Sequence, residues 1–232
     1  MNKISSFRGV TATFANDILK TPQHILICGA TGAGKSCVEF SLINSMFYLR
    51  EVPFLMLIDP KAIDLYKYRK CKNVLDYTSD ISGALRVLNR AVDIMERRYK
   101  DMQKRDTEIC EDRLIYIVID ELADLVLTDK RINTPLQRLL AKGRASKIFV
   151  LMCTQCVNCR VVDTLTRNNV HTTICLRVEN STASRLVIGR AGAELLPRHG
   201  RAIIKDCNGL NYVDIPYFER DELQKIIDYW KK

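Results

Sequence analysis

Residues 25–36 read ILICGATGAGKS, a short apolar run followed by a glycine-rich turn that closes on Lys35 and Ser36. The run has the length and character of a buried strand. Gly29, Ala30, Thr31, Gly32, Ala33, Gly34, Lys35 and Ser36 keep the four-residue gap between glycines that a phosphate-binding loop requires, and a segment of helical period follows. The residue types have physical reasons. Small residues let successive backbone N–H groups curl around phosphate oxygens, and the helix N-terminus adds partial positive charge. A lysine at position 35 reaches the β- and γ-phosphates, and the Ser36 hydroxyl is placed to ligate Mg²⁺. Nucleotide contacts are therefore expected from Gly29 through Cys37.

Outward from this loop, further apolar runs of strand length occur at 52–59, 114–120, 147–154 and 172–177. Helical candidates near 34–50, 80–105, 131–143 and 160–168 lie between them. Continuous Val/Ile/Leu runs separated by helices are the pattern of strands buried on both faces, so the fold class is α/β with a mainly parallel sheet. Residues 201–206 and 210–215 flank Cys207-Asn208-Gly209, a hairpin signal that predicts an antiparallel edge. The last stretch sets Leu223, Ile226, Ile227 and Trp230 on one face of a closing helix.

A phosphate loop needs a carboxylate to order its metal and a means of activating water. The run Leu114 to Ile119 ends in Asp120-Glu121, which supplies both: Asp120 toward Mg²⁺ and Glu121 toward the attacking water. At the end of the next run, Thr154-Gln155 puts a neutral amide where it can sense the γ-phosphate. No Asn-Lys-x-Asp or Thr-Lys-x-Asp motif for guanine is present, which makes ATP the expected nucleotide.

The composition fits a globular domain: 232 residues, 47% hydrophobic and 27% charged, with no run near the ~18 apolar residues of a membrane span. The N-terminus carries a lysine without an apolar region behind it, so the expected compartment is the cytoplasm. Nine cysteines in a reducing compartment argue against a disulfide framework. Cys153, Cys156 and Cys159 lack a fourth metal ligand at suitable spacing, and His24 and His199 read as structural. The net charge of +9 favours a polyanionic partner. Between Lys130 and Val162 there are seven cationic side chains and no acid, which points to a phosphate-bearing partner.

Taken together, the strings PQHILICGATGAGKS (22–36), LIDPK (57–61), MERRYK (95–100), IDELADL (119–125), KGRA (142–145) and AGAELL (191–196) resemble, in order, the motor domain of the FtsK/SpoIIIE family. The resemblance implies a RecA-like fold, a homo-hexameric ring around double-stranded DNA, and ATP hydrolysis that pumps it. It makes Lys35, Glu121, Gln155 and Arg144 the catalytic set, with Arg144 as an arginine finger inserted into the neighbouring subunit's site. Ser36 and Asp120 would hold Mg²⁺. The family's DNA-contacting loop follows the Thr-Gln pair. There the usual arginine is Cys156 and the usual proline is Val157, leaving Arg160, Arg167 and Arg185 as the candidate phosphate contacts.

On this reading residues 1–20 are a lead-in and 21–232 the motor domain. Any membrane or DNA-reading domains would come from other chains. The expected function is ATP-driven translocation of duplex DNA. The alternatives are a superfamily ATPase serving protein secretion or conjugative coupling, and a nucleotide-binding regulator without motor activity.

Overall fold

The computed structural model describes residues 10–215 and 220–231, apart from the side chains of 10–13, 220–223 and 226. Its centre is an eight-stranded sheet. The strands are β1 (Ile25–Cys28), β2 (Phe54–Ile58), β3 (Val74–Thr78), β4 (Ile115–Ile119), β5 (Ile148–Thr154), β6 (Thr172–Cys175), β7 (Arg201–Asp206) and β8 (Gly209–Asp214). They lie in the order β3-β2-β4-β5-β1-β6-β7-β8, with β1 between β5 and β6. The first six pair in parallel, and β7 and β8 run antiparallel as the asparagine-glycine turn predicts.

The continuous apolar runs have a direct explanation in the two faces. Ile115, Ile117 and Ile119 of β4 pack into one core with α3 (Ile81–Lys104), α4 (Leu122–Thr128), α5 (Asn133–Lys142) and α7 (Ser181–Ile188). The alternate residues Tyr116 and Val118 pack into the other core with α1 (Val10–Leu19), α2 (Lys35–Met46) and α8 (Arg220–Lys231). Each face is covered, so neither set can be polar. Parallel neighbours require crossovers, and the helices between the strands supply them.

α3 shows how sequence sets an element. Its buried residues Ala84, Val87, Leu88, Ala91, Val92 and Met95 recur at three and four, the spacing of one helical face. The Asp80 carboxylate caps it by accepting from the Gly83 N–H at 2.7 Å. In α8, Ile227 is buried and Trp230 stacks on Phe47 with ring centroids 5.0 Å apart; Leu223 and Ile226 lie outside the described side chains.

The segment expected to be helical at 160–168 is shorter in the fold. Asn158 folds it into a turn first, its Oδ1 accepting from the N–H groups of Arg160 and Val161, and α6 spans Thr164–Asn169. No helix among the described residues is long and apolar enough to cross a membrane.

Candidate functional site

β1 ends at Cys28 and the chain turns at once into the glycine-rich loop. Gly32 and Gly34 sit at φ 73° and 102°, left-handed values that other residues adopt at a cost, which is why the loop takes glycine there. The loop is fastened from both sides. The Gly29 N–H donates to the Thr154 carbonyl at 3.3 Å and the Ala30 N–H to the Arg177 carbonyl at 2.8 Å. Lys35 Nζ donates to the carbonyls of Gly29 at 2.9 Å and Ala30 at 3.2 Å, and its burial lowers its pKa.

Three carboxylates gather beside the loop. Ser36 Oγ donates to Asp64 Oδ2 at 2.8 Å. Asp120, at the end of β4, is nearly buried, and burial together with Asp64 and Asp59 pushes its pKa up to about 6. Asp59 ends β2 and accepts from the backbone N–H groups of Leu65 and Tyr66, which holds the 59–66 turn that carries Lys61 and Asp64. A divalent cation in this cluster would relieve the repulsion that raises Asp120. The donor set, one hydroxyl and carboxylates without a closed protein cage, suits Mg²⁺ shared with phosphates. Among the described residues no group of three or more His, Cys, Asp or Glu is placed to hold a metal by itself.

Glu121 has a different setting. It is buried, and its Oε1 accepts from Thr154 Oγ1 at 2.9 Å and from the Gln155 N–H at 3.1 Å. Oε2 lies 3.9 Å from Lys61 Nζ. Gln155 in turn accepts from Thr31 Oγ1 at 2.6 Å through Oε1, so a continuous path of bonds runs from Glu121 through Gln155 to the phosphate loop.

Most of these groups meet at a cavity of about 650 Å³, which buried Glu121 does not itself line. Its walls are Thr31 to Cys37, Lys61, Asp64, Asp120, Gln155, and His199, Gly200 and Ile215 from the antiparallel end of the sheet. His199 therefore borders this cavity and does not fill the structural place that its sequence setting implied. Asp64 was unmarked in the sequence because it lies in an irregular loop that only the fold brings to Ser36.

Arg144 is elsewhere. The turn 143–147 joins α5 to the start of β5, at the end of the parallel strands opposite the phosphate loop, which follows the end of β1. Gly143 is packed so tightly that a Cβ would lie 2.2 Å from the Ile148 carbonyl oxygen and 2.5 Å from that of Leu139. Buried Arg98 braces the turn from α3, donating to the carbonyls of Ser146 at 2.6 Å and Arg113 at 2.7 Å. Tyr99 donates to the Lys142 carbonyl at 2.5 Å. Arg144 itself is exposed, and with Arg167, His171, Lys20 and Lys205 it borders a second cavity of about 630 Å³.

The other cations divide. Arg160 is exposed in the loop after Gln155. Arg167 donates to the Val162 carbonyl at 2.8 Å and to Thr164 Oγ1 at 3.0 Å, and Arg185 donates to Ser181 Oγ at 3.3 Å. Within the acid-free stretch from 130 to 162, Arg131 pairs with Asp129 at 2.7 Å and Arg138 with Glu96 at 2.8 Å, so the stretch is less uniformly positive in space than along the chain. The cysteine triplet separates too: Cys153 is buried in β5 while Cys156 and Cys159 are exposed.

Comparison with known proteins agrees with this architecture. The pCW3 conjugation coupling protein TcpA, solved as a monomer with ATPγS, superposes with a TM-score of 0.77 at 23% identity, over 91% of this chain and 66% of that one. EssC (ATPases 2 and 3) from Geobacillus thermodenitrificans gives 0.77 at 19% identity, over 90% and 44%. The fold is thus that of a RecA-like P-loop ATPase. The DNA translocase FtsK of Helicobacter pylori is 30% identical over 94% of this chain and 28% of its own length. That of Borreliella burgdorferi is 34% identical over 78% and 25%. The chain spans about a quarter of the length of these relatives. The FtsK/SpoIIIE family model matches residues 6–116, and the relatives carry the likeness on past Asp120 and Arg144, so the chain is similar to the FtsK/SpoIIIE family over most of its length.

Proposed function

We propose that the chain is an ATP-hydrolysing motor that moves double-stranded DNA and works as a ring, a homo-hexamer as in its family resemblance, with each site completed by Arg144 of a neighbour. The observation that carries this reading is the split between the two ends of the parallel strands. Lys35, Ser36, Asp120 and Gln155 border one cavity, and Arg144 stands on a braced turn at the opposite end, where its own subunit's phosphate loop is out of reach.

In this reading the loop N–H groups and Lys35 hold the β- and γ-phosphates. Ser36 and Asp120 hold Mg²⁺, which when bound neutralises charge on the phosphate oxygens. Glu121 takes a proton from the attacking water as its oxygen bonds the γ-phosphorus and the bond to the β-phosphate oxygen breaks. Lys61 and the Gln155 N–H keep that carboxylate oriented. Gln155 also reports the state of the γ-phosphate to Thr31. Arg160, Arg167 and Arg185 are the proposed contacts to DNA phosphates. With Cys156 in place of the family's arginine, the first of the usual contacts is missing.

The test is ATPase rate with and without duplex DNA across a salt series. Duplex DNA should stimulate turnover. Its affinity should fall steeply as salt rises, since no base-reading helix is evident and phosphate contacts dominate. Turnover that duplex DNA leaves unchanged would favour a protein-moving relative, and a salt-insensitive or strongly sequence-selective complex would count against the reading.

A further inference from the structure

The antiparallel reversal at β7 has a positional effect. β6 runs parallel to β1 and finishes at the phosphate-loop end, so β7, running the other way beside β6, must begin there. The turn that leads into it, Pro197-Arg198-His199-Gly200, is thereby carried over the phosphate loop. Gly200 adopts φ 82°, and the Ile215 N–H donates to its carbonyl at 2.9 Å, fastening the turn to the end of β8. His199 and Gly200 border the nucleotide cavity. Arg198 comes closest to the loop: a Cβ built on Gly32 would lie 3.5 Å from its Nη2 and 3.9 Å from its Nε.

Lys35 and Lys61 line the cavity and are engaged within it, while Arg198 lies at Gly32 just outside that lining. Lys35 donates to the loop's own carbonyls and Lys61 lies against Glu121. Arg198 makes no hydrogen bond or ion pair among the described residues. It is exposed, so no packing role accounts for its position over the loop. Guanidinium has a planar fork of donors matched to phosphate oxygens and stays protonated at all working pH values. Gly32 stands in the middle of the loop, ahead of Gly34 and Lys35, so a group above it faces the outer end of a polyphosphate whose inner end rests on the start of α2.

We infer that Arg198 is a polyphosphate ligand supplied in cis by the turn before β7, closing over the phosphate loop at Gly32 and favouring nucleoside triphosphate over diphosphate. The inference rests on the nucleotide reading of the loop. It names a second role for the hairpin, whose lead-in turn carries Arg198 to Gly32.

The test is equilibrium binding of ATPγS, ADP and AMP to the full chain by calorimetry, with Arg198→Ala, Arg198→Lys and Lys35→Ala beside the parent. One charge-assisted contact corresponds to about 10- to 100-fold in affinity. Arg198→Ala should lose about that much for ATPγS, less for ADP and nothing for AMP, with an unchanged thermal midpoint. Arg198→Lys should recover part of the loss. Equal ATPγS affinity in Arg198→Ala and parent, with Lys35→Ala defective, overturns the role of Arg198 and leaves the nucleotide site standing. Undiminished ATPγS binding by Lys35→Ala overturns the nucleotide site and the Arg198 inference with it.

Discussion

The two ends of the parallel strands differ in construction. At the phosphate-loop end, polar groups are gathered at a loss: Lys35 is partly desolvated, Asp120 sits among other carboxylates, and the loop bends through left-handed glycines. At the Arg144 end the backbone is closely braced. Gly143 has no room for a methyl group, and Arg98, Tyr99 and the Ser146 hydroxyl all bond the backbone of one short turn. The first end is strained in ways that a phosphate and a cation would relieve. The second is braced along the backbone on either side of one exposed arginine, Arg144. On the proposed reading each end is half a site, and adjoining copies bring the halves together.

The sharpest way to break the comparison is at the first end. Lys35→Ala should abolish ATP binding, whereas Glu121→Gln should retain binding and stop turnover, because only the second spares the phosphate cradle. Calorimetric titration beside a phosphate-release assay separates them, and equal loss of affinity in both would undo the division of roles.

At the second end, Arg144→Ala should bind ATP almost normally and hydrolyse it slower by about 10³ to 10⁵, the contribution of a finger arginine. Mixing Arg144→Ala with Glu121→Gln should restore part of the activity, since mixed assemblies contain interfaces with both residues intact. Mixed assemblies that form yet recover nothing would sink the action in trans.

The bracing itself can be probed more gently. Gly143→Ala must push the Ile148 and Leu139 carbonyls aside, at about 1–3 kcal/mol of overpacking. The thermal midpoint should drop and turnover should fall with ATP affinity unchanged. Normal turnover in a destabilised variant would mean that the height of Arg144 matters little.

The last effect, on stability alone, concerns His24, which directly precedes β1 at the same end of the strands as the Arg144 turn. Its Nδ1 accepts from the Val150 N–H at 3.0 Å, and burial, reinforced by His171, lowers its pKa to about 3. The folded state keeps His24 neutral while the unfolded chain binds a proton below the ordinary value of 6.5. Its contribution is therefore complete above that pH and is lost as pH falls from 6.5 toward 3, by up to about 1.4 kcal/mol per pH unit. Denaturant titrations at several pH values check this. His24→Asn, which keeps an acceptor near Nδ1, should flatten the slope.

What could be read from the chain, and what could not, follows the same physics. β1, β2, β4, β5 and β6 announce themselves because both of their faces are buried and no charged residue interrupts them. β3 does not: it is an edge strand whose Asp76 pairs with Arg86 and Arg90, so VLDYT lacks the apolar run. α4 and α7 have seven and eight residues, too few for a helical period to stand out. Within the site, Lys35 was legible because it closes a glycine-rich motif, and Asp120 and Gln155 because strand ends deliver them. Asp64 and His199 were not, because they reach the cavity through a loop and a reversed strand. The acid-free stretch misled in part, since the partners of Arg131 and Arg138 are Asp129, just outside it, and Glu96, a distant residue on α3.

The stacking of Trp230 on Phe47 has a practical consequence. Trp230 is the chain's single tryptophan, and Phe47 directly follows the helix that springs from the phosphate loop. The protein thus carries one tryptophan emitter, set at the far end of that helix and tethered there by the Lys72 N–H on its carbonyl. Its emission maximum and quenching by iodide should report, without any added label, whether the C-terminal helix stays docked while the loop at the other end of α2 takes up nucleotide.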